Sequence, residues 1–215
     1  MKILKINPRA PRRDSLQKVA KILNKGGVVV LPTDTAYALC ANAMDPKAIE
    51  KVFILKKRPK NKPLSVMVRN IEQAKSFAHV TDQAEKLFKK FLGKPLTIVL
   101  FKKRCVPDIL TAGEKSIGVR IPAYKIVQEI LKRVRFALTA TSANVSGKST
   151  PYSITTILKQ YKKEKKEPDL IVDAGRLFYT KPSTVVDLTK KSLRLIRRGP
   201  VSLKEIIKTL KHQSI

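Results

Sequence analysis

The sequence predicts an α/β protein in which helices flank one twisted sheet of mixed parallel and antiparallel strands. Short apolar runs alternate with segments of helical periodicity along most of the chain, which is typical of this class. Two strand-like runs lie close together near the end, over 184–188 and 193–196, and indicate an antiparallel portion. A length of 215 residues with 43% hydrophobic content is enough for a real core, so we expect residues 1–215 to form a single domain.

The amino-terminal part should contain two helices around one buried strand. Asp14 or Ser15 can cap the first helix, and Gly26-Gly27 ends it. Its apolar positions recur at helical spacing: Leu16, Val19, Ala20 and Leu23. A buried strand over 28–31 then runs into the polar turn Pro32-Thr33-Asp34-Thr35, and Asp45-Pro46 opens the second helix.

The rest of the chain continues this alternation. Apolar, β-branched runs predict strands over 64–68, 96–101, 117–121, 136–140, 170–172, 184–188 and 193–196. Helical spacing of apolar residues predicts helices over 81–91, 126–131 and 154–161, and the last two are expected to be crossover helices. The charged run over 162–168 reads as a solvated helix end or loop.

The charge balance is strongly basic. Forty-six Lys and Arg against 16 Asp and Glu leave a formal charge of +30, which attracts nucleic acid, nucleotides and anionic surfaces. The excess is mostly lysine spread along the chain, and we find neither Trp nor aromatic residues interleaved with arginine that would supply stacking platforms for bases. We therefore favour a solvated surface over a dedicated nucleic-acid face, and expect RNA binding to be weak at most.

Several classes of protein are disfavoured. Cys40 and Cys105 stand in no zinc-ligand spacing, and His79 and His212 have no acidic neighbour for a histidine relay. No run approaches the roughly 18 apolar residues of a membrane span, and the amino terminus lacks a secretory apolar region. We expect a cytoplasmic protein without a membrane segment.

A cationic segment follows the second helix. It runs Lys56-Lys57-Arg58-Pro59-Lys60-Asn61-Lys62-Pro63-Leu64. Each proline favours an extended conformation in the residue before it, so the helix should break and Lys56, Arg58 and Lys62 can line one wall. A basic loop that merely ends a helix is the alternative.

A polar turn, Thr141-Ser142-Ala143-Asn144-Val145-Ser146-Gly147, follows another apolar run. Fixed cations and short hydroxyl and amide groups together suit a polyphosphate held beside a small polar molecule. Gly147-Lys148-Ser149 also matches the end of a phosphate-binding P-loop, with Asp173 after an apolar run as its magnesium ligand. That alternative is weakened because Ser142 stands where the P-loop needs glycine, but it stays open.

Two further groups point towards a ligand. Thr33 and Thr35 follow a buried strand, where α/β sheets bind ligands beyond the carboxyl ends of their strands. Arg120 lies in the otherwise apolar run Gly118-Val119-Arg120-Ile121-Pro122. A buried guanidinium there needs a carboxylate or a phosphate as its partner.

Five ordered motifs together resemble the YrdC/TsaC family of L-threonylcarbamoyladenylate synthases. They are the Pro-Thr-Asp/Glu-Thr turn, Lys-x-Arg-Pro, Ser-x-Asn, Pro-Ser-Thr-Val and a final Arg-x-Gly, between Pro32 and Gly199. The resemblance covers nearly the whole chain and implies a YrdC-like fold. Because the chain ends soon after Gly199, it matches the short, single-domain form.

The resemblance also implies residue roles. Thr35 and Arg120 are expected to bind the threonine substrate, and the catalytic set is Lys56, Arg58, Ser142 and Asn144. The nucleotide is expected to contact Arg58, Lys62, Ser142, Asn144, Thr150 and Arg197, while Ser183 and Thr184 shape the pocket. No metal ligand is expected from the protein, because ATP carries the magnesium ion.

The implied reaction joins L-threonine, bicarbonate and ATP into threonylcarbamoyl-AMP and pyrophosphate. Partner proteins would then complete the threonylcarbamoylation of tRNA. No strong catalytic base stands out among the residues, so the expected contribution of the protein is positioning and charge stabilisation.

The chain departs from the family pattern in three places, and two other functions remain alternatives. Ala38 and Cys40 replace glycines, which predicts a strained or altered turn if those glycines have positive φ, and Met67 replaces a histidine of some members. The first alternative is an RNA-binding module without turnover, supported by the +30 charge. The second is the carbamoyl-adenylate activity of hydrogenase-maturation carbamoyltransferases, which expects acylphosphatase-like and zinc-finger segments that this sequence does not contain.

Overall fold

The computed structural model describes residues 1–162 and 164–211, and is built on one ten-stranded sheet. Its strands are β1 (Ile3–Lys5), β2 (Val29–Pro32), β3 (Tyr37–Cys40), β4 (Ser65–Met67), β5 (Leu96–Phe101), β6 (Ser116–Arg120), β7 (Leu138–Ser142), β8 (Leu170–Asp173), β9 (Thr184–Asp187) and β10 (Arg194–Arg197). The helices are α1 (Arg13–Asn24), α2 (Pro46–Lys56), α3 (Ile71–Phe77), α4 (Asp82–Lys90), α5 (Asp108–Thr111), α6 (Lys125–Arg133), α7 (Ile154–Tyr161) and α8 (Leu203–Lys211). His212 lies outside the described residues.

The strand order is β1-β8-β2-β3-β7-β4-β6-β5-β9-β10. Four neighbouring pairs are parallel, namely β1 with β8, β2 with β8, β4 with β6 and β5 with β9. The other five pairs are antiparallel, including β9 with β10. The prediction of a mixed sheet with an antiparallel portion near the end is therefore confirmed.

The two faces of the sheet are covered unequally. Helices α2, α3, α4, α5, α7 and α8 all contribute buried side chains to a core on one face. On the other face a second core contains side chains from α1 and α6, packed on β2, β3, β8 and parts of β4 and β7. Strands β5, β6, β9 and β10 contribute no residue to this second core, so that end of the face lacks the two covering helices.

Local signals account for several boundaries. Asp45 caps α2 by accepting a hydrogen bond from the Lys47 amide at 2.9 Å, and Pro46 is its first residue. Gly26, with φ of +71°, follows the end of α1 as the sequence predicted. The predicted cap of α1 was wrong. The helix begins at Arg13 with Arg12 at the N-cap position, so Asp14 and Ser15 lie inside the helix.

The segment Tyr37–Cys40 is a fully buried strand rather than a turn. It pairs with β2 on one side and with β7 on the other. Among the described residues only Lys57 and Ala112 combine a side chain with positive φ, so Ala38 and Cys40 are not in the left-handed region. The expected strain from replacing two glycines is thus absent, because strand geometry suits both residues.

In the described ranges, none of the helices combines the length and apolar content that would let it cross a membrane.

Candidate active site

A cavity of about 480 Å³ lies on the sheet face that carries the second core. Ala38 and Met67 belong to both, which places the cavity beside that core at the end left without covering helices. The sequence had placed the ligand beyond the carboxyl ends of the strands. The cavity instead extends across the sheet face, with the turn after β2 forming part of its wall.

Small side chains on neighbouring strands create the space for this cavity. Ser65 pairs with Ala140, and both line it. Gly118 lies between Ser65 and Thr97, and a Cβ there would come within 2.5 Å of the Ser65 hydroxyl. Larger residues at these positions would fill the floor of the site.

The cavity wall is strongly positive. Five cationic side chains line it, and no described lining residue is Asp or Glu: Lys56, Arg58, Lys62, Arg120 and Arg197. The nine residues expected to be catalytic or to bind a substrate all line this one cavity; Thr35, Ser142, Asn144 and Thr150 complete that set. Segments up to 162 positions apart in the chain, from Thr35 to Arg197, thus meet at one place.

Lys56 is the last residue of α2 and is 4% exposed. Its ammonium group donates to the Ser142 carbonyl at 2.5 Å, and lies 3.3 Å from the Ser142 hydroxyl. It also donates to the carbonyl and the side-chain oxygen of Asn144, at 3.1 and 3.0 Å. In return the Ser146 amide donates to the Lys56 carbonyl at 2.7 Å. One lysine therefore binds the end of α2 to the turn after β7.

Burial, and secondarily the positive charge of Arg58, lower the pKa of Lys56 to about 8. The sequence placed Lys56 in the cationic segment that follows the second helix. That interpretation was wrong, because α2 continues through Lys56 and ends where Lys57 takes a left-handed conformation with φ of 49°. Lys56 therefore links the end of α2 to the turn after β7 and places a cationic side chain in the cavity wall.

Arg58 shapes the cationic segment itself. Its guanidinium donates from Nε to the Lys62 carbonyl at 3.1 Å and from Nη2 to the Pro63 carbonyl at 3.0 Å. Partial burial lowers the pKa of Arg58, but a guanidinium stays charged in proteins. Lys62 lies on the same wall with its side chain exposed.

The Ser-x-Asn segment forms a compact hydrogen-bonded unit at the end of β7. The Ser142 hydroxyl donates to the Asn144 side-chain oxygen at 2.5 Å. The Asn144 amide group donates to the carbonyls of Val145 and Lys148, at 3.0 and 2.8 Å. Gly147 closes the turn with φ of +83°. The predicted strand over 136–140 is shifted to Leu138–Ser142, so Ser142 ends the strand rather than lying in the turn.

The P-loop alternative is wrong. The helix after this turn, α7, begins at Ile154 instead of at Lys148. Lys148 does not line the cavity, and Asp173 accepts a hydrogen bond from the Gly175 amide at 2.9 Å outside the cavity lining. The residues that this alternative requires are therefore not brought to a common phosphate site.

Arg120 is 6% exposed and ends β6 in the cavity wall. Its guanidinium forms an ion pair with Asp34 through Nη2, and donates from Nη1 to the Thr35 hydroxyl at 3.2 Å. Burial lowers the pKa of Arg120, and the nearby Asp34 carboxylate partly offsets this. The carboxylate that the sequence required as a partner is thus supplied inside the protein.

Arg197 brings the last two motifs together. It donates to the Ser183 carbonyl and hydroxyl, both at 2.9 Å, and the Ser183 hydroxyl lies 2.8 Å from that of Thr97. Gly199 allows this approach, because a Cβ there would lie 2.3 Å from the Pro182 carbonyl oxygen. Burial, and then the positive charge of Arg120, lower the pKa of Arg197.

Thr184 does not shape the pocket as the sequence predicted. It is fully buried, does not line the cavity, and donates to the Val201 carbonyl at 2.7 Å. Ser183 does line the cavity, since adjacent strand residues face opposite sides of a sheet.

Sequence reasoning missed several cavity residues. Ser65, Thr97, Tyr152 and Thr180 line the site, but each stands outside the five motifs. Asp34 lay within a motif, and its charge beside a buried strand was the available signal for a partner such as Arg120.

The statement that aromatics are not interleaved with cations was also wrong. Arg176-Leu177-Phe178-Tyr179-Thr180-Lys181 interleaves them in one loop, where Phe178 is 94% and Tyr179 76% exposed. The Tyr179 ring lies 5.3 Å from that of Tyr152, which lines the cavity. Exposed aromatic and cationic groups therefore stand near the rim of the site.

Comparisons with known proteins agree with this architecture. The family model Sua5/YciO/YrdC, described as telomere recombination, matches residues 21–199. A Methanocaldococcus jannaschii relative, provisionally named a threonylcarbamoyl-AMP synthase, is 38% identical over 96% of this chain and 95% of its own length. The threonylcarbamoyl-AMP synthase of Pyrococcus abyssi is 35% identical over 89% of this chain, which spans only 56% of that relative.

The structural comparison gives the same result. The crystal structure of P. abyssi Sua5 complexed with L-threonine matches with a TM-score of 0.92 and 32% identity. The match covers 98% of this chain and 61% of that one. The predicted YrdC-like sheet flanked by helices is therefore confirmed.

Proposed function

Because the chain belongs to the Sua5/YciO/YrdC family, we propose that it is an L-threonylcarbamoyladenylate synthase. It forms threonylcarbamoyl-AMP and pyrophosphate from L-threonine, bicarbonate and ATP, and is thereby a nucleotidyltransferase. The product supplies tRNA threonylcarbamoyladenosine modification, which partner proteins complete in the cytoplasm. Residues 1–215 act as a single domain in this reaction.

The observation that carries this proposal is the charge of the cavity. Four of the five cations, Lys56, Arg58, Lys62 and Arg197, match a triphosphate, which is the most highly charged part of ATP, and no described lining residue is a carboxylate. The buried Arg120 beside Thr35 offers a separate place for a carboxylate and a hydroxyl. An amino acid and a nucleotide can thus lie side by side in about 480 Å³.

The chemistry proceeds in two bond-forming steps. Bicarbonate takes up a proton and loses water to give carbon dioxide. The neutral threonine amine attacks this carbon dioxide, so that a C–N bond forms while one C=O π bond opens, and the nitrogen releases one proton to solvent to leave a carbamate with a negative charge. A carbamate oxygen then attacks the α-phosphorus, the bond from that phosphorus to the bridging oxygen breaks, and pyrophosphate leaves with the bond electrons. Charge builds up on phosphate oxygens, where fixed cations stabilise it.

The chain's own residues position and neutralise these groups. Arg58 and Lys62, in the cationic segment, bind the outer phosphates. Arg197, in the final Arg-x-Gly motif, binds the nucleotide. Lys56 fixes the turn of Ser142 and Asn144 and brings positive charge to the same wall. Thr150 contacts the nucleotide from the end of that turn.

Magnesium enters as part of the substrate, MgATP. Mg²⁺ in proteins is usually held by one or two carboxylates together with substrate phosphates. The described cavity lining has no carboxylate, and the Ser142 and Asn144 oxygens already accept hydrogen bonds from Lys56. The residues present therefore suit a magnesium ion that is bound to ATP. They are less suited to a magnesium ion that protein side chains bind alone.

A direct assay tests the proposal. The protein is incubated with ATP, L-threonine, bicarbonate and Mg²⁺, and threonylcarbamoyl-AMP and pyrophosphate are measured by mass spectrometry and an enzyme-coupled assay. Both products should appear together and require threonine. ATP hydrolysis without the adenylate, or no turnover at all, would contradict it.

Weak RNA binding is a second candidate function, favoured by the +30 charge and the exposed Phe178 and Tyr179 between cations. In filter binding with tRNA, affinity should fall steeply with salt. It should fall further in Phe178→Ala if that ring stacks on a base. Equal affinity of the variant and the wild type would remove the loop from any RNA contact.

A further inference from the structure

The ion pair between Arg120 and Asp34 leaves one atom of each side chain without a partner. Side-chain exposure is 8% for Arg120 and 17% for Asp34. Within the described residues, Arg120 Nε and Asp34 Oδ1 are both shielded from water and have no hydrogen-bond partner. Buried polar atoms in native proteins are nearly always paired, so two orphans in a single ion pair are unusual.

The two orphan atoms have opposite polarity. Arg120 offers one further donor and a positive charge, while Asp34 offers one further acceptor and a negative charge. A zwitterionic α-amino acid carries a carboxylate and an ammonium group on the same carbon, so it can satisfy both. A simple anion would satisfy only the arginine, and a simple cation only the aspartate.

The placement of the pair connects it with the cavity. Arg120 lines the wall, and Thr35, which accepts a hydrogen bond from the same guanidinium, lines it as well. Asp34 does not line the cavity, whereas its ion-pair partner Arg120 and the flanking Thr33 and Thr35 do. A ligand therefore meets the arginine first and reaches Asp34 only when the guanidinium changes its partner.

We propose that Asp34 is a specificity-determining residue that stands in for the substrate carboxylate on Arg120 and exchanges with it on binding. The carboxylate of the incoming amino acid pairs with Arg120, and the released Asp34 pairs with the ammonium group. One internal ion pair is thus replaced by two ion pairs to a zwitterion. This inference rests on the proposed function, because it concerns the amino-acid half of the same site.

The exchange also affects where the carbamate moves within the cavity. The ammonium group that Asp34 attracts releases one proton to solvent, and the resulting amine attacks carbon dioxide. A C–N bond then forms as one C=O π bond opens, a second proton leaves the nitrogen for solvent, and the product is a negatively charged carbamate. Attraction to Asp34 then changes to repulsion, while Lys56 and Arg58 attract the new charge. The carbamate is driven towards the wall where the phosphates are expected.

Asp34→Asn tests the inference, because it removes the charge and keeps the size of the side chain. The probes are L-threonine, N-acetyl-L-threonine and L-threoninamide, titrated by calorimetry into the complete protein without ATP. Wild type should bind threonine at least tenfold more tightly than either blocked form. Asp34→Asn should lose at least tenfold in threonine affinity, and its affinity for N-acetylthreonine should stay equal or rise because the internal competitor is weaker.

Two matched variants accompany this test. Asp34→Glu retains the charge and should recover most of the preference for the free amino acid. Asp14→Asn makes the same change of charge on an exposed position of α1, and should bind all three probes as wild type does. Thermal unfolding of each variant separates binding effects from loss of structure.

Three outcomes would overturn the inference: unchanged threonine affinity in Asp34→Asn, an equal loss for threonine and N-acetylthreonine, or no binding of any zwitterionic amino acid by wild type. The equal loss would mean that Asp34 only supports Arg120. Failure of the proposed function gives a different pattern, in which threonine binds with the expected selectivity but no adenylate forms. If instead the wild type forms the adenylate and Asp34→Asn binds threonine with unchanged affinity, the proposed function stands and the inference about Asp34 fails.

Discussion

Replacing Lys56 by methionine tests whether one lysine serves both folding and catalysis. Methionine has a similar length and keeps the apolar packing of the side chain, but it removes the charge and all donors. Two main-chain carbonyls, those of Ser142 and Asn144, would lose a buried donor. The side-chain oxygens of the same residues would keep their hydrogen bond to each other.

The expected cost follows from these contacts. A buried acceptor left without a partner costs about 1–3 kcal/mol, and part of the sum for two is offset because a charged group no longer has to be buried. We expect a net loss of about 2–4 kcal/mol in the free energy of unfolding. For a chain of this size that corresponds to a fall in Tm of about 5–15 °C.

The assays are thermal unfolding by circular dichroism and adenylate formation, run at a temperature where the variant is folded. Activity should fall at least tenfold, because the variant also removes a cation from the phosphate wall. Lys62→Met is the control, since Lys62 lies on the same wall with an exposed side chain, and its Tm should remain within about 2 °C of wild type. A Tm of Lys56→Met equally close to wild type would refute the argument that this lysine holds α2 to the turn.

Four further predictions concern the same cavity. Arg58→Ala should lower adenylate formation at least tenfold, because a charge-assisted contact is worth about 1.5–3 kcal/mol; near-normal kinetics would remove it from the phosphate site. Asn144→Ala should lose most activity while Lys148→Ala keeps it, and the reverse ranking would revive the P-loop. Arg120→Ala should raise the KM for threonine much more than that for ATP, with serine a weak substrate and valine almost none for wild type; an equal rise for both would move Arg120 to the nucleotide. Finally, pH should act on Lys56 in two opposite ways: activity of wild type should fall as pH rises through about 8, where the ammonium loses its proton. Stability relative to Lys56→Met should rise between about pH 8 and 10.5, because the unfolded lysine keeps a proton that the folded one has lost; an equal pH dependence of the two proteins would contradict the lowered pKa.

Elements with a strong local pattern were predicted well. The strand over 96–101 and the helix over 154–161 have the predicted bounds, because each combines an uninterrupted pattern with clear breaks on either side. β3 was missed because all four of its residues are buried, so it shows no alternation of apolar and polar positions. α3 and α8 were missed as well, and both are short segments rich in charged and polar residues.

The candidate site shows the same division. Each motif was visible in the sequence, and the nine residues expected to be catalytic or to bind a substrate line the cavity, whereas Thr184 does not. Their partners were not visible, since Lys56 with Asn144 and Arg120 with Asp34 are 88 and 86 positions apart. Pairing over such separations depends on how the strands are ordered in the sheet, which no local pattern records.

The sequence by itself determined the class of fold, the family and the residue types that the site requires, because hydrophobic periodicity and ordered motifs are local properties of the chain. Only the tertiary structure decided that Lys56 is buried in a hydrogen-bonded cluster and that Ala38 and Cys40 lie unstrained in a strand. It also decided that the cavity lies on the sheet face that carries α1 and α6, at the end that these helices leave uncovered, and that Asp34 forms an ion pair with Arg120. Burial and hydrogen-bond partners depend on packing between segments that are distant in the chain. This packing lowers the pKa of Lys56 and places Asp34 on Arg120, where we propose that the substrate carboxylate must displace it.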